Sequence, residues 1–459
     1  MAGMGVLSSL GVGSGTLTYD IIDKMKDIDI ANMISPIDRR IEDTKKKESE
    51  LTTLTTLTAT LKTTVVDLAN STLFAKRTST VSGDDVTVKV NDGVAVQDIN
   101  INVTQLAKAE IQQSKGFASE TSSVTTTNTT MSIAIDGDTY DIDINAGTTL
   151  QELRDKINDA TDGKVKASIL NTGDSSNPYR LILKSAETGA NQAITVSYGD
   201  TDGDGTANEN PDDDFLDLNI VQTAQDAKFK FNGVDITRSS NSVSDLVAGI
   251  TFNLKGASGD DNIISIKQDV DGIADMVSEF VSAYNSWHSK ISEVTKFDPE
   301  GKSTGIFQGD STIRRLVSDV KYALFNSEID GRGAGTYGIT VNKDGILSFD
   351  RSTFIEELKN DPNKAEKVFT SDIGGVFNSL NSVLKNATDS STGYLNLYDQ
   401  ELKSEEERLS SERERSLELL NKRYEIMAMQ FAAYDSMINN MNNSYQALQM
   451  AIDAQLAKK

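Results

Sequence analysis

The sequence lacks cysteine altogether, and it contains only five prolines, one histidine and one tryptophan among its 459 residues. Without cysteine, the chain can form no disulfide bond, no thiolate nucleophile and no zinc site with sulfur ligands. If the protein works outside the cell, packing alone must therefore hold its fold together.

Basic residues are scarce as well, because 45 Lys and Arg face 69 Asp and Glu and leave a formal net charge of −24. Such an acidic chain is not expected to bind nucleic acid by general charge attraction, which requires Lys and Arg to neutralise phosphates. Attraction to anionic membrane surfaces is disfavoured for the same reason. We therefore expect no nucleic-acid partner.

Long apolar runs are also missing. No stretch approaches the roughly 20 residues that a membrane-spanning helix requires, so we expect no membrane span. The N-terminal region lacks a secretory signal too, since acidic residues flank the short apolar run Ile21–Ile22. The protein is therefore expected to be cytosolic or to be exported without a cleaved signal peptide.

The clearest positive signal is a heptad repeat near the end of the chain. Apolar residues recur there at alternating steps of three and four, which places one apolar face along a coiled-coil helix. Leu402 and Leu409 keep the seven-residue step upstream, but the frame shifts by one before Leu417, which predicts a local discontinuity. We call the following residues the C-terminal seam: Leu417, Leu420, Tyr424, Met427, Phe431, Tyr434, Ile438, Met441, Tyr445, Leu448 and Ile452.

A second helical stripe near the start of the chain is the expected partner of this seam. Pro36 suits a first helical turn, whereas the many threonines that follow weaken intrinsic helicity, so this helix needs a partner. We predict that it packs on the C-terminal seam. The apolar residues of the stripe are Ile34, Ile37, Ile41, Leu51, Leu54, Leu57, Leu61, Val65 and Leu68.

Between the two helical ends, apolar residues alternate with a period of two, as in β-strands. Such runs flank four Asp-Gly or Asn-Gly dipeptides, which favour two-residue hairpins because they tolerate positive φ at both central positions. We therefore predict hairpin turns at Asp92–Gly93, Asp136–Gly137, Asn232–Gly233 and Asp344–Gly345.

Two helix starts are predicted among these strands. Thr149-x-x-Glu152 has the pattern of a capping box, and Ser242-x-x-Asp245 is a weaker echo of it. The order of hairpin, capped turn and strand thus occurs twice, which suggests related β modules.

Together these patterns predict an α+β, multidomain fold whose terminal helices pair as a coiled-coil leg. A helical and β head domain would follow the leg, with mostly β middle domains and a nested insertion. The predicted domains are a leg at 1–68 and 395–459, a mixed α/β head at 69–85 and 268–394, a β domain at 86–117 and 223–267, and an inserted β-rich domain at 118–222.

No motif in the sequence specifies an enzyme, so we expect no catalytic residue and no cofactor. His288 lies beside Trp287 on a helical face pattern, which favours a structural role over a catalytic dyad. Gly301-Lys302-Ser303 resembles the end of a phosphate-binding loop, but Lys296 stands where that motif requires glycine.

One acidic run has the beginning of a calcium-binding loop. Asp200, Asp202 and Asp204 alternate before Gly205, and Asn208 follows at the ninth position. The twelfth position, which requires a bidentate Glu, is Pro211. We therefore favour a solvated acidic loop, with calcium binding at these residues as the weaker alternative.

Several blocks of the sequence resemble the bacterial flagellar filament cap family, also called the hook-associated protein 2 family. The segment 144–183 resembles a module shared by flagellin-like and hook proteins. The chain departs from the family where Thr16–Tyr19 separate Gly15 from Asp20. The blocks that carry the resemblance are Ser8–Gly15, Gln225–Phe252, Phe280–Asn285, Gly309–Thr312 and Gly338–Asp350.

This resemblance implies a structural cap at the extracellular tip of the filament, which helps each exported flagellin to fold and insert and prevents its loss. It implies export by the flagellar type III apparatus without a cleaved signal. The implied partners are further copies of the chain, flagellin, hook–filament junction proteins and an export chaperone. Because ordering the leg residues costs about as much free energy as burying their apolar side chains gains, we expect the legs to be mobile in a free monomer and ordered in the assembly.

A rival hypothesis is a surface adhesin or scaffold that binds a host or matrix ligand through the β body, with region 118–222 carrying the binding site. An enzyme, such as a carboxylate-based hydrolase, is the least favoured class because no pair of acidic residues stands out.

Overall fold

The computed structural model describes residues 19–199, 214–300 and 303–456. The chain forms two compact units, of which one comprises Thr72–Asp269 and the other the residues before and after this segment. Helices dominate the second of these units, and strands dominate the first. The α+β, multidomain class predicted from the sequence is therefore confirmed, whereas its finer division into four domains stays a prediction.

The helical unit is built from eight α-helices and one short hairpin in the described residues. Elements are numbered along the chain. The helices are α1 (Tyr19–Met33), α2 (Ser35–Leu68), α4 (Val270–Thr295), α5 (Ser311–Phe325), α6 (Arg351–Asn360), α7 (Pro362–Thr370), α8 (Val376–Thr388) and α9 (Tyr394–Leu456), and the hairpin consists of β16 (Ile339–Val341) and β17 (Leu347–Phe349).

An aromatic core centred on α4 holds the helical unit together. Trp287 is fully buried, and its indole Nε1 donates to the Thr58 hydroxyl of α2 at 3.1 Å. Phe280 packs edge-on against Phe377 of α8, with ring centroids 5.1 Å apart. These contacts explain how α2 forms despite its weak intrinsic helicity, because tertiary packing supplies most helical stability in proteins.

The threonines of α2 are accommodated by bonding to their own helix. The hydroxyls of Thr52, Thr56 and Thr60 each donate to the carbonyl oxygen four residues earlier, at 2.9 to 3.1 Å. Thr58 does the same at 2.7 Å while it accepts the bond from Trp287. The hydroxyls therefore have partners within the helix and need no solvent.

Within its described residues, 72–199 and 214–269, the β unit contains one α-helix, α3 (Leu150–Ala160), and four sheets with two separate cores. The strands around the first core are β1 (Arg77–Val81), β2 (Val86–Val90), β3 (Gln97–Gln105), β11 (Ala227–Phe231), β12 (Val234–Arg238), β13 (Ser242–Val243), β14 (Ile250–Leu254) and β15 (Asp261–Gln268). They form a five-stranded sheet, in the order β1-β15-β3-β11-β12, and the three-stranded sheet β13-β14-β2.

The second core lies within the chain segment between β3 and β11. Its strands are β4 (Ile111–Gln113), β5 (Thr129–Ile135), β6 (Asp138–Ile144), β7 (Val165–Asn171), β8 (Tyr179–Ser185), β9 (Thr195–Tyr198) and β10 (Asn219–Gln222). They form the sheets β10-β4-β8-β7 and β6-β5-β9, and the core also includes apolar side chains of α3.

The hairpin predicted at Asp92–Gly93 is wrong. β2 pairs with β14, and β3 pairs with β11 and β15, so the two predicted partners lie in different sheets. Only Gly93 of the dipeptide has positive φ, at 79°, whereas a type I′ turn requires it at both residues. The dipeptide therefore belongs to a connection between sheets.

The other three hairpins are present. Asp136–Gly137 and Asn232–Gly233 have positive φ at both residues and join β5 to β6 and β11 to β12. At Asp344–Gly345 only the glycine has positive φ, and the Asn342 side chain accepts the backbone N–H groups of Asp344 and Ile346. This third turn is therefore longer than the predicted two residues.

The predicted capping box at the start of α3 is confirmed. The Glu152 N–H donates to the Thr149 hydroxyl at 3.2 Å, and the Thr149 N–H donates to the Glu152 carboxylate at 2.9 Å. The second predicted helix start is wrong, because Ser242–Val243 is a strand that pairs with β14.

The contacts of His288 connect α4 to the β16–β17 turn. Its Nε2 donates to the carbonyl oxygen of Asp344 at 2.7 Å, and its ring stacks on Tyr284 at 5.9 Å between centroids. Gly345 follows with φ of 82°, and a Cβ at that position would lie 2.6 Å from His288 Nε2. The β16–β17 turn thus fits closely on α4.

This fit predicts the effect of replacing Gly345. Gly345→Ala should lower the free energy of unfolding by about 1–2 kcal/mol for the left-handed backbone, plus roughly 1–3 kcal/mol for the clash with His288. Gly331→Ala is the matched control, because Gly331 has φ of 70° and a Cβ added there would meet no atom within 4 Å. Urea unfolding followed by the fluorescence of buried Trp287 measures both, and equal losses would contradict the predicted clash.

Candidate functional site

The terminal helices form an antiparallel pair. Asp38 forms an ion pair with Arg413, Arg40 with Glu405 at 3.2 Å, and Lys45 with Glu406 at 3.1 Å. From Asp38 to Lys45 along α2, the partner in α9 moves back from Arg413 to Glu406, so the two helices run antiparallel. These pairs are largely exposed, so they fix register more than they stabilise the fold.

The contacts of α9 change along its length. Leu395, Leu402 and Leu409 are buried in the half that pairs with α2. Farther on, Leu420 and Tyr424 pack with Ile22 of α1 in a small apolar cluster. The helix that covers this part of the C-terminal seam is therefore α1, where the sequence predicted α2.

A hydrogen bond accompanies this apolar cluster. The Tyr424 hydroxyl donates to the Asp29 carboxylate at 2.9 Å, and Arg423 lies 3.5 Å from the same carboxylate. Burial and then the bond to Asp29 raise the pKa of Tyr424 above its usual value. The tyrosine therefore stays a neutral donor and links α1 to α9.

The predicted residues of the N-terminal stripe lie mostly inside the helical unit. Ile34, Leu54 and Leu61 are buried almost completely, Ile37 is buried, and Ile41 is half-buried. These side chains therefore serve the core of this unit, and are not available to another molecule.

The C-terminal seam divides into a covered and an uncovered part. Leu420 and Tyr424 are buried, and Leu417, Met427, Phe431 and Ile438 are partly buried. The remaining seam residues are exposed, namely Tyr434, Met441, Tyr445, Leu448 and Ile452. We call Ser436–Leu456 the α9 tip; every residue from Asn439 to Leu456 is exposed.

The register explains why the described part of α1 does not cover the α9 tip. Asp29 of α1 lies opposite Tyr424. Tyr19, the first residue of α1, is ten positions before Asp29, and Tyr434 is ten positions after Tyr424. In an antiparallel pair the α9 tip therefore extends past the start of α1, by about 30 Å at 1.5 Å per residue.

The α9 tip also differs from the rest of its helix in charge. Asp453 is the one charged residue of the tip, whereas Lys, Arg, Asp and Glu are frequent between Tyr394 and Asp435. Exposed helices normally carry charged faces, and an uncharged apolar stripe typically marks a contact surface. This composition favours burial of the tip against another molecule.

Sequence reasoning missed a second exposed apolar stripe beside the seam. It comprises Leu419, Ile426 and Met429 on α9, and α1 also exposes the side chains of Ile21 and Ile28. The seven-residue step from Leu419 to Ile426 was a signal that could have revealed it. The paired helices therefore expose apolar side chains on both elements.

Other candidate sites do not come together in the described part of the chain. Asp200, Asp202, Asp204 and Asn208, like Gly301 and Lys302, lie outside it. Within it, no group of three or more His, Asp or Glu side chains is placed to hold a metal ion. No helix there is both long and apolar enough to cross a membrane.

Family models match most of the chain. The model of the flagellar hook-associated protein 2 N-terminus matches residues 14–110, and the model of its C-terminus matches residues 224–443. A third model, the flagellin hook IN motif, matches residues 123–187.

Individual relatives agree with these matches. The flagellar hook-associated protein 2 of Campylobacter jejuni is 35% identical over 415 residues, which cover 80% of this chain and 64% of that protein. The chain thus spans just under two thirds of that relative. The A-type flagellar hook-associated protein 2 of Pseudomonas aeruginosa is 26% identical, with 97% of each protein covered.

A solved structure shares the fold. The D1-D2-D3 domains of the flagellar cap protein FliD from Escherichia coli superpose with a TM-score of 0.59 and 27% identity. The match covers 77% of this chain and 99% of that structure.

The contact between α1 and α9 can be tested with two adjacent leucines. Leu420 is 3% exposed and Leu419 is 62% exposed. Leu420→Ala should cost about 2 kcal/mol in the α1–α9 contact, so hydrogen exchange in α1 should speed up by as much as roughly thirtyfold. Leu419→Ala, the control, should leave exchange in a dilute monomer unchanged. A similar effect of both variants would refute this assignment of the packed face.

Proposed function

The chain belongs to the flagellar hook-associated protein 2 family, and we propose from this premise that it caps the distal tip of a flagellar filament. There it promotes the folding and insertion of exported flagellin and prevents the loss of subunits. The similarity to a solved flagellar cap protein supports this function over the adhesin hypothesis. We propose a structural role without catalysis.

The observation that carries the proposal is the uncovered α9 tip. Met441, Tyr445 and Leu448 are exposed along one face of a helix segment whose single charged residue is Asp453. Burying side chains of this size contributes roughly 1.5–3 kcal/mol each. Association would therefore bury apolar side chains that the isolated tip leaves in water, and the free energy gained would favour assembly.

We propose that the α9 tip contacts a second copy of the chain. Two copies with a net charge of −24 each repel one another, so they associate best through surfaces that carry little charge. The tip is such a surface. Its apolar steps of three and four also suit packing of like helices against each other.

The state of the free protein follows from the same contacts. A helix tip without partner side chains makes few apolar contacts, and such segments open with low free energy. We therefore expect the tip to exchange its amide hydrogens rapidly in a monomer and slowly in the assembly. Strong protection of the tip in a verified monomer would contradict this.

Location and further partners are proposed from family membership. The cap would act outside the cell at the filament tip, after export without a cleaved signal peptide. Flagellin would be the molecule on which it acts, and hook–filament junction proteins and an export chaperone would be met during assembly.

Deleting the gene tests the proposed function. Filaments should be short or absent, unpolymerised flagellin should collect in the medium, and added protein should restore elongation. Normal filaments without the gene would overturn the proposal.

The role of the α9 tip is tested by complementing that deletion with two variants. Met441→Asp places a charge on the seam and removes the burial of one methionine, so self-association should weaken at least about tenfold and filaments should stay short. Asn443→Asp is the matched control, because Asn443 is exposed on the other side of the same helix. Sedimentation velocity separates loss of self-association from loss of flagellin binding, and equal behaviour of the two variants would contradict the assigned contact.

A further inference from the structure

The exposed methionines of the described residues are confined to the terminal helices. They are Met25 and Met33 in α1 and Met429, Met437, Met441 and Met450 in α9. Elsewhere, Met131 is fully buried in the β unit and Met276 is partly buried in α4. Oxidisable sulfur that solvent can reach is thus concentrated where the chain exposes its apolar stripes.

Two of these methionines lie on the proposed contact face. Met441 belongs to the seam and is 66% exposed, and Met437 lies one turn before it and is 67% exposed. Met450 is 65% exposed but lies nine positions after Met441, which is two and a half helical turns and hence the opposite side of α9. The helix therefore carries methionines of equal exposure on and off the seam.

We propose that Met437 and Met441 form a site of reversible oxidation, and that their conversion to methionine sulfoxide prevents association through the α9 tip. This inference rests on the proposed function, since it assumes that the tip is buried between copies. The oxidant is a peroxide, and the site is open to it only before assembly.

The chemistry requires only the thioether and the peroxide. The sulfur lone pair attacks one peroxide oxygen, an S–O bond forms as the O–O bond breaks, and the other oxygen leaves as water or an alcohol after taking up a proton. Sulfur loses two electrons and the peroxide gains them. Because the chain has no cysteine, no thiol competes for the oxidant within it.

The physical consequence lies in the change of polarity. A sulfoxide replaces a flexible apolar side chain with a polar, chiral one, which disrupts methionine-rich contacts. At Met441 the S=O group would face the neighbouring seam, whose leucine, isoleucine and methionine side chains offer it no hydrogen bond, so its desolvation there is unfavourable. At Met450 the same group would remain in water.

The test uses the full-length chain and hydrogen peroxide. Peptide masses should show oxygen added at Met437, Met441 and Met450 in the dilute monomer, and Met131 should stay unoxidised. Sedimentation velocity should show self-association weakened at least about tenfold after oxidation. Methionine sulfoxide reductases should restore it.

Two leucine variants separate the seam from general damage. Met437→Leu/Met441→Leu removes both oxidisable sulfurs and keeps both positions apolar. Peroxide should therefore change the self-association of this protein, measured against its own unoxidised state, far less than it changes that of the parent protein. Met450→Leu, the matched control, should remain as sensitive as the parent protein. Oxidation that leaves self-association unchanged, or equal protection by Met450→Leu, would overturn the proposal.

The same measurements distinguish this inference from the proposed function. If the unoxidised protein does not self-associate through the tip, the assembly contact itself is wrong. If it does associate but peroxide has no effect, only the oxidation site is wrong.

Discussion

The antiparallel pairing of the two ends of the chain is the interaction on which the rest of the structure depends. It joins residues that are far apart in sequence, such as Asp38 with Arg413 and Asp29 with Tyr424. Once α2 lies against α9 and Trp287 bonds to Thr58, the helical unit has its core. The β unit is the long chain segment between α2 and α4, and its strands pair with one another around their own cores. The offset between α1 and α9 also determines which part of the seam remains uncovered.

The two halves of α9 differ in charge and in how much of their apolar face is covered. The half near α2 is dense in charge, which suits a helix with one face in solvent and the other on its neighbours. The tip carries a single charged residue and exposes its seam. For a strongly acidic chain, a tip with a single charged residue would limit repulsion at the place where we propose that copies meet. The same apolar character explains why methionine recurs there, since its flexible thioether adapts to irregular contacts. That adaptability brings sensitivity to oxidants while the tip is free.

The sequence was sufficient for features set by local pattern. The heptad steps predicted a long helix, and the Asn232–Gly233 and Asp136–Gly137 turns form as expected because both residues of each can adopt positive φ. Local pattern failed where pairing is non-local, as at Asp92–Gly93, whose flanking strands pair with the distant strands β14 and β15. Periodicity identifies an apolar face of α9, but it cannot tell which molecule covers that face. Leu420 and Met441 illustrate this limit, because both belong to one seam but Leu420 is buried and Met441 is exposed.

The central claim is that the α9 tips of neighbouring copies face one another along the seam. The absence of cysteine permits a direct measurement, because a single introduced thiol has no competitor in the chain. Met441→Cys and Asn443→Cys proteins would be assembled, oxidised and analysed for covalent dimers. The account predicts rapid dimer formation through position 441 and little through position 443. Equal rates at both positions, or no dimer from the seam position in the assembled protein, would contradict it.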